Sequence, residues 1–503
     1  MNKEQVLNEY ENPKSENHKA DSYGKLIDFA HFEKNTIFLE ELESQKDNIA
    51  LDKLDEFHLS TYYYDLSNLY SSLGKLKNPD PRENWNFDDA LIKKEIFNLR
   101  KSISVEGFNS IKKERQCQIY TNLGNTLNKI GRGVKAQEEW SNSLSIIPHF
   151  PMALGNKSNG LISYSERLLK KEQKLITINI AYKHIQAALA LKEFLEPRAE
   201  NFFNSIRSYL ESNYHPNLLK KQIKFDKRLF KINISKAAVY RFWINKNRLL
   251  LSPLNDITSN GNFYYDDLLL PPILMPAGSK PIYHILFNQI KQEFCSARYN
   301  LFQYSKHKKN HFSDKNVVLV EYSKLFSYSY RIELIKSTFK TFYSIFDKIA
   351  YLINDYLSLN RKRFDVSFRK IWYTNYQKAE LDPMFNSKVN WSMRALFWVS
   401  KDLFDDEMKD TIEPESQHIN QLRNYIEHKG IMVSRIPFNE KVDNTAFNYA
   451  IGSIDLELKT YKIAKLVREA MLYLCFSVSQ IEREFNPNNL QFSSDEYPEI
   501  NEK

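Results

Sequence analysis

Residues 118–148 read QIYTNLGNTLNKIGRGVKAQEEWSNSLSIIP, and this stretch decides the fold of the first part of the chain. Apolar and small residues recur at helical spacing on both sides of Gly131, so the stretch predicts two helices joined by a tight turn. Gly124 and Ala136 would let the two helices approach closely. Trp140 would fill the gap between them, and Pro148 would stop the second helix. The spelling Gly131-Arg132-Gly133-Val134-Lys135-Ala136 matches a dinucleotide-binding fingerprint. It neither follows a strand nor opens a βαβ unit, so it is assigned to the inter-helix turn.

The positions Tyr120, Leu123, Gly124, Leu127, Gly131, Ala136, Trp140, Leu144 and Pro148 resemble those of a tetratricopeptide (TPR) repeat. An earlier copy is visible at residues 62–74, where Leu66, Tyr70 and Gly74 keep register, and NPDPRENW then interrupts the period. Residues 152–169 resemble a degenerate next copy. Helical repeats of this kind are expected over 51–215, and a protein or peptide partner is what the resemblance implies for them. Residues 1–50 are polar and weakly periodic and receive no assignment.

The chain has 503 residues, too many for one ordinary core, and its 12 glycines are few for Gly-loop nucleotide folds or turn-rich sandwiches. Three scattered cysteines, Cys117, Cys295 and Cys475, supply neither a disulfide framework nor a Cys-based zinc site. The first residues lack an apolar signal core, and the longest apolar run, near 470–478, is shorter than the ~18–20 residues of a membrane span. A cytoplasmic location without membrane attachment is expected.

Charge is unevenly shared. The net charge is +9, and residues 220–248 hold ten basic side chains against one acid, Asp226. Lys220, Lys221, Lys224, Lys227, Arg228, Lys231, Arg241, Lys246 and Arg248 are the candidate RNA contacts. Phe225, Phe230, Tyr240, Phe242 and Trp243 lie among them as candidate stacking faces. A solvated basic face, or a contact to an acidic protein, explains the same composition. Residues 216–275 are therefore expected to form a basic, aromatic connector, with a loop-like stretch rich in turn residues over 252–280.

Long helices return over 282–306, 331–359, 390–404, 414–430 and 456–485, which predicts an all-α bundle. A polar tail, 491–503, closes the chain. Within 414–430 stands Arg423-Asn424-Tyr425-Ile426-Glu427-His428. An Arg followed by a polar residue, with His five positions on, resembles the signature of HEPN domains (higher eukaryotes and prokaryotes nucleotide-binding). That resemblance covers roughly 276–490 and implies a helical bundle, often a metal-independent ribonuclease, working as a homodimer. TPR repeats before such a domain resemble prokaryotic toxin and phage-defence architectures.

The resemblance implies roles that suit the side chains. His428 would move the proton of a ribose 2′-OH or of the leaving 5′-oxygen, and Arg423 would stabilise charge on the phosphorane. Asn424 would support them, and Glu293 is a candidate auxiliary acid, with an ion pair to Arg298 as the competing reading. A purely structural reading is also open: Arg423 and Glu427 as a helical ion pair, and His428 in a favourable last turn. On an ideal helix Arg423 and His428 lie about 140° apart. A bend at Gly430 or a groove between two protomers is needed to aim both at one phosphate. His307 and His311 have metal-ligand spacing, but their cationic surroundings repel a divalent ion, so no metal and no cofactor are expected. The rival function is a non-catalytic scaffold that binds nucleic acid or protein.

Overall fold

The computed structural model describes residues 3–80, 85–221, 235–258, 265–275, 280–306, 311–320, 325–405, 408, 422–423, 425–426, 429–434 and 448–485. These residues form seventeen α-helices and two two-stranded sheets, an all-α architecture of helical repeats and a helical bundle. The chain divides into two compact units. The first comprises residues 1–222 with 386–394 and 411–413; the second comprises 223–385 with 395–410 and 414–503.

In the first unit, the segment left unassigned in sequence is helical: α1 (Lys3–Glu11), α2 (Glu16–Phe32) and α3 (Thr36–Gln45). Ser15 caps α2 and Asn35 caps α3, each accepting from a backbone N–H three residues on. Tyr23, Leu26, Ile27, Ala30, Leu39 and Leu42 bury one face against Leu66, Leu69 and Leu73 of α4 (Glu56–Lys77). The polar residues that masked this pattern lie on the opposite face.

Beyond them the helices pack in pairs: α4 on α5 (Ala90–Ser104), α6 (Lys113–Lys129) on α7 (Gly133–Ile146), and α8 (Pro151–Ser165) on α9 (Lys171–Leu189). Helix α10 (Pro197–Asn213) packs on α9, and α11 (Pro216–Leu219) follows. Trp140 is 1% exposed and is wedged between two glycines. A Cβ on Gly124 would lie 2.7 Å from its indole nitrogen, and one on Gly160 would collide with its ring. The indole N–H donates to Asn125 Oδ1 at 3.0 Å. Gly131 turns the chain between α6 and α7 at φ 85°, which a side chain adopts only with strain.

The second unit is built on α12 (Lys236–Lys246), α13 (Ile282–Lys306), α14 (Tyr330–Tyr356) and α17 (Ser453–Phe485); α15 (Pro383–Ser387) contributes its residues to Phe385 and α16 (Trp391–Phe404) its residues from Ala395 on. Helices α13, α14 and α17 pack on one another, and Phe346, Phe368, Trp372 and Phe397 link α14 to α16 through ring contacts.

Two features differ from the sequence expectation. The segment expected to be a connector packs into the bundle from α12 on: Leu249, Leu250, Leu251, Leu254, Leu268 and Leu270 are buried. Two guanidiniums hold it there. Arg298 of α13, 3% exposed, forks onto both oxygens of Asp266 at 2.7 Å and reaches Leu249 O at 2.9 Å. Arg468 of α17 bonds Asp256 Oδ2 at 2.7 Å and Ser252 O at 3.0 Å. Burial pushes the Asp266 carboxyl up, but the Arg298 fork outweighs it and holds the group below the usual carboxylate range.

The second difference is strand. β1 (Tyr373–Asn375) pairs antiparallel with β2 (Glu380–Leu381), and β3 (Gly430–Ser434) pairs parallel with β4 (Asn448–Gly452). Ser327 N–H donates to Val433 O at 2.8 Å, so residues 326–327 flank β3. The long helix expected over 414–430 is described only at 422–423 and 425–426, and at Gly430 the chain is already a strand.

Two substitutions test these anchors. Trp140→Ala should cost about 3–5 kcal/mol in denaturant unfolding of the first unit, because it leaves a large cavity between two glycines. A loss below ~1 kcal/mol would mean that the wedge is dispensable. Asp266→Asn should cost about 3–5 kcal/mol at neutral pH, since it strands a buried guanidinium. A carboxyl held low in the fold contributes above its unfolded pKa of ~3.9, and that contribution fades as pH falls through the folded value. The gap between wild type and Asp266→Asn should therefore close below about pH 4; a pH-independent gap would contradict this.

Candidate functional site

Leu422, fully buried, fixes the short helical turn that carries Arg423. Arg423 is half-buried, and its guanidinium lies 5.4 Å from the ring centre of Tyr343 on α14, a cation–π seat. Two residues on, the Tyr425 ring packs against Tyr449 of β4 at 5.4 Å, with the Lys429 ammonium 4.8 Å from its face. Lys429 N–H donates to Tyr425 O at 3.1 Å, and β3 begins at the next residue. The short turn thus meets α14 through Arg423 and β4 through Tyr425. Asn424 and His428 lie outside the described residues.

Glu293, on α13, does not pair with Arg298, which is committed to Asp266. Its carboxylate binds the Lys348 ammonium of α14 and accepts from the Gln289 amide at 3.2 Å. Helix geometry explains the exchange: Glu293 faces α14, whereas Arg298 faces the chain that follows α12.

The basic candidates are divided. Lys220 and Lys221 are exposed after α11, in the first unit, where the Asn179 amide anchors the backbone at Leu218, Leu219 and Lys221. Lys224, Lys227, Arg228 and Lys231 lie outside the described residues, as do Phe225 and Phe230. Arg241 and Lys246 are exposed on α12, in the second unit. Arg248 is half-buried at φ 56° and donates to Asn255 O, so it serves the fold. Of the described aromatics, Tyr240 and Trp243 point inward onto Phe302, at 5.0 and 5.3 Å, and Trp243 also meets Tyr461 at 5.9 Å. Phe242, 61% exposed, faces solvent beside Arg241.

His307 lies outside the described residues. His311 packs on Phe312 and Tyr330, with ring centres at 4.2 and 4.5 Å. Among the described residues, no three His, Cys, Asp or Glu side chains converge as a metal site, and no helix is long and apolar enough to cross a membrane. Tyr343 escaped the sequence reading. In a helix with so many aromatic residues, nothing marks the one that seats an arginine.

Comparison with known families then places the domain. Residues 276–481 match the family model described as LA2681-like HEPN, so the second unit carries a HEPN-family domain. Neither the curated proteins nor the solved structures include a match to the chain.

Exposure separates contact candidates from structural ones. Replacing Arg241 and Lys246 together by Gln should leave stability within about 0.5 kcal/mol, whereas Arg248→Ala should cost about 1 kcal/mol or more. Thermal unfolding measures both. A destabilised Arg241/Lys246 variant would assign α12's charges to the fold.

Proposed function

We propose that this chain is a metal-independent endoribonuclease in which the HEPN-family domain cuts RNA by attack of its own 2′-OH. The observation that carries the reading is Arg423, held over Tyr343 at a helix end within the matched domain. A guanidinium supplies the paired N–H donors that stabilising charge on a phosphorane requires. His428, five residues on, supplies proton transfer, because imidazole titrates near neutral pH. In the forward step it takes the 2′-OH proton or delivers one to the departing 5′-oxygen. Asn424 orients the phosphate or the imidazole, and Glu293, paired with Lys348, is the auxiliary group.

A homodimer supplies the groove in which Arg423 and His428 address one phosphate. The exposed Lys220, Lys221, Arg241 and Lys246, with Phe242 as a stacking face, guide single-stranded RNA by charge. The helical pairs of the first unit act as a TPR-like module that receives a protein or peptide partner. A bacterial toxin or phage-defence effector unites these parts. DNA lacks the 2′-OH and is spared.

The test is cleavage of a single-stranded RNA in EDTA, with the matching DNA as control. RNA should be cut and DNA left intact. His428→Ala should abolish cutting at unchanged melting temperature, and Arg423→Lys should be nearly as poor. Activity that requires added magnesium contradicts the mechanism. Equal loss of fold and activity in His428→Ala favours a structural histidine, and intact RNA under every condition favours the scaffold.

A further inference from the structure

The second unit meets its buried arginines with carboxylates, but the first unit holds one that it does not. Arg394 belongs to the stretch 386–394, packed into the first unit, and is 2% exposed. Its guanidinium lies 5.1 and 5.8 Å from the rings of Trp85 and Trp391. Among the described residues it donates to two carbonyls, Phe87 O at 3.3 Å and Lys129 O at 3.4 Å, both long for charge-assisted bonds. No carboxylate among the described residues forms an ion pair with it. Burial outweighs the more distant Asp89 and Asp88 and holds its pKa down to about 10. A buried guanidinium with no carboxylate in direct contact is costly, so a cavity beside it is suited to an anion from outside.

Arg394 lines a cavity of about 250 Å³ between α4 and α5, and Lys75 and Lys129 line it too. Its two carboxylates are already used. Asp89 caps α5 by accepting from Leu91 N and Ile92 N; Glu95 accepts from Thr126 Oγ1 at 2.6 Å and faces Lys129 at 3.9 Å. Lys75 has no ion-pair partner among the described residues, and the lining's three cations, Arg394, Lys75 and Lys129, outnumber its two carboxylates, Asp89 and Glu95, which leaves one positive charge in excess. The cavity shares Ser71, Lys75, Glu95 and Lys129 with a polar chamber of about 740 Å³, lined in part by Asn68, Asn122 and Asn125.

We propose that the cavity between α4 and α5 binds the phosphoryl group of a small organic ligand, on Arg394 and Lys75, with the rest of the ligand in the adjoining Asn-lined chamber. A phosphoryl group offers several terminal oxygens, so it can meet the guanidinium fork and the ammonium at once. The chamber lies within the ~300–1,000 Å³ of small-molecule sites, and its carboxamides both donate and accept. Residues 1–215, with 29 basic and 30 acidic side chains, lack the cation excess that a nucleic acid strand requires. The chemistry therefore calls for a compact phosphate ester rather than a polymer.

Isothermal titration of the full chain tests this with inorganic phosphate, adenosine 5′-monophosphate, adenosine and O-phosphoserine. A phosphate-bearing probe should bind and adenosine should not. Lys75→Gln should weaken binding by about tenfold or more, as the loss of a charge-assisted contact implies. Tighter binding of an ester than of phosphate assigns the natural ligand to that ester class, whereas phosphate bound as tightly as every ester would leave the chamber without a role and overturn the organic ligand. His428→Ala and Arg423→Ala should bind the probes as wild type does, which separates this site from the ribonuclease reading. Silence of every phosphate compound, binding unchanged in Lys75→Gln, or binding lost in the His428 or Arg423 variants would overturn the proposal.

Discussion

A guanidinium removed from water demands a negative partner, and that demand organises this protein. In the second unit it is met within the chain: Arg298 takes Asp266 and Arg468 takes Asp256. Those two pairs draw residues 249–258 and 265–270 into the bundle, and their leucines then complete its core. Without the pairs, the same segment would be the solvated linker that its composition suggests. Removing one partner of such a pair costs several kcal/mol, much more than an exposed ion pair supplies. In the first unit the demand at Arg394 is left open, which makes that arginine informative about function.

Packing of small residues against large ones does the corresponding work in the helical pairs. Gly124 and Gly160 give Trp140 its space, and Gly131 turns the chain between their helices. The pairing of α6 with α7 was legible, because Gly124, Ala136 and one large aromatic at fixed spacing leave few alternatives, whereas the contact of Gly160 with Trp140 was not. The bundle helices were legible for a similar reason. Their apolar stripes are long, and the expected 282–306 coincides with α13 while 456–485 falls within α17.

Other parts were hidden by physics that is not local. Helices α1–α3 bury narrow stripes beneath many polar residues, so their periodicity is weak in sequence and decisive only when α4 is present. Strands β3 and β4 are five residues each and owe their state to one another across the intervening residues. Tyr240 and Trp243 have the composition of a stacking surface, yet they turn inward because Phe302 and Tyr461 provide an apolar bed. For Arg423, the sequence supplied the residue and the spacing to His428, whereas its seat on Tyr343 depends on how α14 packs. The lysine partner of Glu293 was equally invisible, since Lys348 is 55 residues away on another helix.

The central claim is that the 2′-OH of the substrate is the nucleophile, driven by side chains of the HEPN-family domain. The chemistry of the cut ends tests it most directly. Mass spectrometry of the products of a defined RNA oligonucleotide should find 2′,3′-cyclic phosphate on the upstream fragment and 5′-OH on the downstream one. The same oligonucleotide carrying a single 2′-deoxy residue should stop being cut at that position. Fragments ending in 5′-phosphate and 3′-OH, or undiminished cutting at the deoxy position, would mean that water attacks instead and would contradict the account.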